Sequence, residues 1–449
     1  MNRLTCFGAS VLAAAFLAGP AFGQPVPLPP FCGATGTLPV IKPIIRGAVV
    51  NRDDPNFGCH LWQTFVYLNW PAKAGRRGVP DPSKQFGAPG TTVWETYPTV
   101  EQTFLPGAQD PGPWEGRRVV GAAVPQGFAE RVVDGSLRAL SRESKISREV
   151  IANLGSAATD PDILSRITQA FGGVLYDQNR KPVYYEIAMN EDQYNYIRQN
   201  GLYNADTQLA FAIKQTIALP MGDGDGTPGA IELKAAWKIL GPKDDKSKFH
   251  TAQAIVVRTW AQPQPITVGL VGLHIVQTVR NMPQAVWGTF AHVDNAPLDG
   301  QFGKGPYNFY NPGCRPLVCP PNSKITIPTQ VVQLYPDAAD IVNQNMKTLI
   351  LKHNPASVWQ HYKLLAVQWP RDPVALKVPA LRPLPDGNPG LPILTNPVLE
   401  TFVQSNGNCL GCHIFARVAD PRPNVSDLVA PQNGSSYSFM FSYADVPRK

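Results

Sequence analysis

The sequence predicts an α+β fold: a loop-rich chain with an antiparallel sheet core and short helices around it. Three observations lead there. Residues 254–257 and 266–278 are β-branched and alternate in the manner of strands, and 285–293 continues the pattern. The helical signals are short and broken by turn residues, with no long periodic run. The 46 Pro and 38 Gly beside a charged fraction of 16% describe a folded chain with much loop, below the content that marks disorder.

Taken in order, residues 1–23 carry Arg3, an apolar run over 11–18 and the small-residue site Ala21-Phe22-Gly23. That is the pattern of a secretory signal peptide, with an apolar part too short to span a bilayer. The expectation is a periplasmic or secreted protein with no integral membrane segment once the signal is removed. Residues 24–55 are Pro-rich and predict an extended course. Over 59–70, Leu61, Trp62, Phe65, Val66 and Leu68 fall at helical spacing, and Pro71 stops the helix. A long loop over 72–109 is interrupted by a short element at 94–97, and 141–171 reads as helical pieces.

A turn at 177–182 leads to a strand over 183–189. Asn190 then caps a helix with Gln193 at its third position, and Gly201 closes it. Asp223-Gly224-Asp225-Gly226-Thr227 lacks the later acidic ligands of a calcium loop, since Lys234 stands at the twelfth position, and reads as a Gly-rich turn. In 266–278 the alternation predicts one face made of Val268, Leu270, Gly272, His274 and Val276; in 285–293 it predicts another of Val286, Gly288, Phe290 and His292. If 285–293 is also a strand, two inward-facing histidines on adjacent strands follow, either as core residues hydrogen-bonded to backbone or to Asp294 or as functional groups. An amphipathic helix with Ile341, Met346, Leu349 and Ile350 lies within 330–353, and 357–369 predicts another short one. A Pro-rich linker over 374–397 divides a main body, 24–373, from a C-terminal segment, 398–449, that packs on it.

The net charge of +7 is spread among acids at 117–118, 138–148 and 243–248, which describes solvated faces and excludes a nucleic-acid stripe. No Gly-x-Ser-x-Gly, His-Glu-x-x-His or P-loop offers hydrolase or nucleotide chemistry.

The C-terminal segment holds Cys409-Leu410-Gly411-Cys412-His413, a C-x-x-C-H motif. With 7 Cys and 7 His in 449 residues, a chance occurrence has a probability of about two in a thousand, so coincidence is a poor account. Two thiols three positions apart on one helical turn can each add to a porphyrin vinyl group, and the adjacent imidazole then falls under the iron. A redox dithiol expects a strand before the motif, where Gln404-Ser405-Asn406-Gly407-Asn408 stands instead. A zinc site needs a fourth ligand that no second C-x-x-C or H-x₃₋₅-H pair supplies. Cys409, Cys412 and His413 are therefore the expected attachment residues for one covalent haem c, with His413 the iron ligand. Setting aside these two cysteines and Cys6 of the signal leaves four, with three possible pairings. The most local, Cys32 with Cys59 and Cys314 with Cys319, closes the cheapest loops and suits an oxidising compartment.

From Cys409 to His413 the chain resembles the c-type cytochromes, and 396–403 looks like the short helix that leads into their motif. Small cytochromes c carry the motif near their start, whereas only 414–449 follow it here, so the upstream body must cover most of the porphyrin. Residues 62–70 and 287–297 look like segments of large exported bacterial cytochrome-like proteins. The resemblance implies electron transfer with a periplasmic redox partner. The second axial position decides between a carrier and a haem-dependent oxidoreductase of peroxidase or oxygenase type. Distal candidates are His274 and His292 first, as rigidly held acid/base groups with Trp287 as a possible electron relay, then Met440, His60, His250, His353 and His361. A non-catalytic haem protein for binding or sensing is the third reading.

Overall fold

The computed structural model describes residues 32–33, 38, 57–120, 124–142, 173–215, 217–222, 227–257, 263–303, 305–337, 339–370, 395–405, 407–413, 416–419 and 435–447. The expected signal at 1–23, most of the extended 24–55, the helical pieces over 143–171, the Gly-rich turn at 223–226 and the linker up to 394 lie outside these residues.

The fold is α+β. Its sheet has seven strands: β1 Arg138–Leu140, β2 Tyr184–Met189, β3 Ile231–Ile239, β4 Thr251–Val256, β5 Ile266–Val279, β6 Met282–His292 and β7 Tyr362–Gln368. Every named pairing is antiparallel except β1 with β4. The central strand is β5. It pairs with β3 along one edge, and its other edge is shared, residues 266–269 by β4 and residues 272–279 by β6.

The partner changes where β5 is irregular. Trp237 of β3 lies opposite Leu270 and Ala236 opposite Gly272, which leaves Val271 as an extra residue. Such a bulge shifts the side-chain alternation by one position. Val268 and Leu270 therefore join Leu273 and Ile275 in the main core, whereas Gly272 and His274 face the other way. The single face expected for Val268, Leu270, Gly272, His274 and Val276 is thus corrected to two.

On the core face lies helix α1, Phe57–Leu68. It crosses β6 at Gly288, where an added Cβ would stand 2.4 Å from Leu61 Cδ1, so a glycine lets helix and strand approach this closely. Phe65 stacks on Phe290 at 4.3 Å, and Trp62 meets the same ring edge-on at 5.1 Å. Burying each of these large side chains contributes about 1.5–3 kcal/mol. The Trp62 indole N–H donates to Asn343 of the helix Asp340–His353 (2.9 Å), which holds α1 between that helix and the sheet. Cys32–Cys59 ties the chain before α1 to its first turn, and Cys314–Cys319 closes a surface loop, with Cα separations of 5.6 and 6.0 Å.

Helix α2, Glu191–Gln199, begins as its sequence requires: the Asn190 side chain accepts from the Gln193 amide, and Gly201 follows the helix at φ +64°. The short helix expected within 357–369 is instead one 3₁₀ turn, Val358–His361, followed by β7. Tyr-Lys-Leu-Leu-Ala-Val-Gln is buried on both sides and so has no period of its own; the open edge of β6 decides its conformation.

The face of the sheet opposite α1 receives residues 395–405. An added Cβ at Gly272 would stand 2.7 Å from Val398 Cγ2, so this glycine admits the segment. Asn396 donates to Thr289 Oγ1 (2.8 Å) and to the Phe290 carbonyl (2.9 Å), and Tyr185 Oη donates to the Val398 carbonyl (3.1 Å). Val398 and Leu399 pack with Tyr185, Ala236 and Val271. Among the described residues, no helix is long and apolar enough to cross a membrane.

Candidate functional site

The motif forms a single turn of helix, α3, Cys409–His413, on this second face. Its first amides are satisfied locally. Asn408 Oδ1 accepts from Gly411 N (2.5 Å), and Gln368 at the end of β7 accepts from Leu410 N (2.8 Å). Leu410 is fully buried against Ala285, Trp287 and Tyr437, which anchors the turn to β6. Cys409 and Cys412 are half-buried and lie outside both disulfides.

The His413 ring sits between two aromatic side chains, Trp287 at 4.5 Å and Phe439 at 4.9 Å. Its Nδ1 lies 2.7 Å from the carbonyl oxygen of Tyr437. A carbonyl only accepts, so Nδ1 carries the proton and donates, and the basic lone pair is on Nε2. The carbonyl is aimed by an unusual backbone: Ser436 and Tyr437 are both left-handed, at φ +52° and +63°. Consecutive non-glycine residues in that region are costly and gather at functional sites. The loop is fastened below by Ser438, whose hydroxyl donates to Glu232 Oε2 (2.5 Å). Burial raises the Glu232 carboxyl above its ordinary range, against the opposing hydrogen bonds from Ser438 and Gln193.

The two histidines expected to converge are on opposite faces of the sheet. His274 pairs in register with Thr289, and Val276 with Trp287, so His274 shares the face that carries α3. Its Nε2 lies 2.9 Å from Glu400 Oε1, and Glu400 Oε2 accepts the Asn396 amide (2.9 Å). His292 falls on the Phe290 side. Its ring stacks on Phe249 at 4.3 Å, Nε2 donates to the Lys248 carbonyl (3.0 Å), and Nδ1 accepts from Asp294 N (3.1 Å). Burial lowers its pKa to about 4, so the ring is neutral. Those bonds make His292 a structural residue, away from the motif.

The remaining candidates lie elsewhere. His60 meets Gln277 (3.0 Å) under α1, His250 meets the buried Glu95 (3.0 Å), and His361 lies 6.1 Å from His292. His353 ends its helix beside Trp70, and the Met440 thioether receives the Gln193 amide inside the main core. Of the other six histidines, His274 is the one that shares a sheet face with His413. Sequence reasoning found Trp287 but missed Glu400, Gln368 and the Tyr437 carbonyl. Only Glu400 left a signal, as the acidic residue of the amphipathic 396–403.

Among the described residues, no group of three or more His, Cys, Asp or Glu side chains is arranged to hold a metal ion. A haem iron asks less of the protein, one imidazole in this motif with the porphyrin supplying four nitrogens. Comparisons with protein-family models, with curated proteins and with solved structures find no match in any of the three.

Proposed function

We propose that the chain is an exported monohaem c-type cytochrome taking part in electron transfer, with haem c held through Cys409 and Cys412 and by His413. The observation that carries this reading is the 2.7 Å contact between His413 Nδ1 and the Tyr437 carbonyl. It selects the tautomer in which Nε2 would be the atom to hold the iron, and a donated Nδ1 hydrogen bond raises the basicity of Nε2. The donor set also fits, since two half-buried thiols outside the disulfides share one helical turn with that imidazole. Once bound, the group supplies a one-electron couple.

The chain's own part is to orient and enclose. Leu410 and Gln368 fix α3 on the sheet, Trp287 and Phe439 flank the imidazole, and Tyr437 holds its proton. A periplasmic redox protein is the partner this role requires. The test is the optical spectrum of protein made with c-type maturation machinery, wild type and His413→Ala. Wild type should show a haem c spectrum and the variant an altered ligand field; a colourless wild-type protein overturns the proposal.

A second reading, a haem-dependent oxidoreductase of peroxidase or oxygenase type, is favoured by one observation, the His274–Glu400 pair on the same sheet face. A carboxylate that orients an imidazole prepares it to take and return a proton. Spectra that change on adding peroxide, azide or cyanide, with the peroxide response lost in His274→Ala, support this reading. Spectra indifferent to all three leave the carrier.

A further inference from the structure

A cleft of about 130 Å³ opens beside β1 and the helix Gln126–Val133. Its walls are mostly apolar, with Val120, Val124, Val132, Leu137, Ala139 and Val257 among them. Into this lining the fold sets Arg118, which is only 9% exposed. Gly135 is part of the same wall, and the position of a Cβ there is 3.9 Å from Arg118 Nη1.

The other charges of the cleft are already matched. Glu186 is held by Arg138 through two hydrogen bonds, and Glu101 by Arg142 at 2.6 Å. Arg118 has no such partner among the described residues, and its buried Nε makes no hydrogen bond. The charges that act on it most are two further guanidiniums, Arg77 and Arg138; Glu186 opposes them less strongly. Burial first, then those two neighbours, pushes Arg118 down to about 9, so it remains charged at neutral pH. A buried cation without a counter-charge is strongly unfavourable, and an anion that reaches it gains a charge-assisted pair in a low-dielectric site.

We infer that this cleft binds a small monocarboxylate with an apolar body, its carboxylate on Arg118 and its body against the valines. The volume suits a body near the size of benzene, which occupies an apolar cavity of about 150 Å³. Inorganic phosphate is a poor fit, because it has no apolar body to set against the valines of the lining.

The test is calorimetric titration of the full chain with benzoate, hexanoate, benzyl alcohol and inorganic phosphate, in wild type and Arg118→Met, with melting temperatures of both ligand-free proteins. The expected result is that benzoate or hexanoate binds wild type at least about tenfold tighter than benzyl alcohol or phosphate, and Arg118→Met loses that margin. The ligand-free variant should melt no lower than wild type, because it removes a buried unmatched charge. Equal binding of acid and alcohol, or binding unchanged by Arg118→Met, overturns the inference. So does a variant that melts several degrees lower, since the guanidinium would then be held by a group of the chain itself.

Discussion

Replacing Gly272 by alanine tests how the motif-bearing segment sits on the sheet. The new methyl would stand 2.7 Å from Val398 Cγ2 and 3.2 Å from Leu399 Cδ1. Carbon atoms rest at about 3.5–4.0 Å, so the overlap is about 1 Å. Val398 has little room to retreat, because its amide donates to Asn396 Oδ1 (2.9 Å) and its carbonyl accepts from Tyr185 (3.1 Å). Overpacking of this kind costs about 1–3 kcal/mol. Alanine recovers about 0.4–1 kcal/mol by restricting the unfolded chain, which at the mid-values leaves a net loss of about 1.3 kcal/mol. Urea denaturation of Gly272→Ala, Val398→Ala and the double variant measures it. With Cγ2 gone, the alanine should cost at least about 1 kcal/mol less in the Val398→Ala background. A neutral Gly272→Ala, or strict additivity, refutes the packing of 396–403 on β5.

Three further outcomes follow from the described geometry. His292, lowered to about 4 from an ordinary value of 6.5, binds fewer protons folded than unfolded, so stability falls as pH drops from 6.5 to 4. The loss from this residue is at most about 3.4 kcal/mol, and denaturation midpoints across that window should flatten in His292→Gln. Glu95 acts lower: burial would raise its pKa, but His250 and Arg138 hold it at about 2, so its contribution fades between 4.5 and 2. The disulfides should differ, since they close loops of 27 and 5 residues. Loop entropy gives about 3.5 kcal/mol for Cys32–Cys59 and about 2 for Cys314–Cys319, so the paired serine substitutions at the first should lower the denaturation midpoint more.

Features whose cause is local were legible in the sequence. Asn190 and Gly201 bracket α2, Pro71 lies just beyond α1, and the spacing of four cysteines indicated both pairings. The strands β5 and β6 were visible in their β-branched alternation, and the turn of helix at Cys409–His413 in its motif. What was hidden depends on partners distant in the chain. The extra residue at Val271 arises from pairing with β3, and it moves Gly272 and His274 to the face opposite Leu270. Counting alternate residues therefore put Leu270 and His274 together. β7 was unreadable because an apolar run buried on both sides has no face to reveal. The Tyr437 carbonyl beside His413 belongs to the backbone, 24 residues from the motif, and no side-chain pattern marks it. Arg118 resembled any surface arginine until the fold closed apolar walls around it.

The proposed attachment of haem through Cys409 and Cys412 is tested most directly by intact mass after acid–acetone extraction. The measurement uses protein matured in a c-type system, as wild type and as the Cys409→Ala/Cys412→Ala double variant. Wild type should keep its colour and the added mass of one haem, while the double variant should lose both. Wild-type protein that is stripped colourless and returns the mass of the bare polypeptide would contradict it.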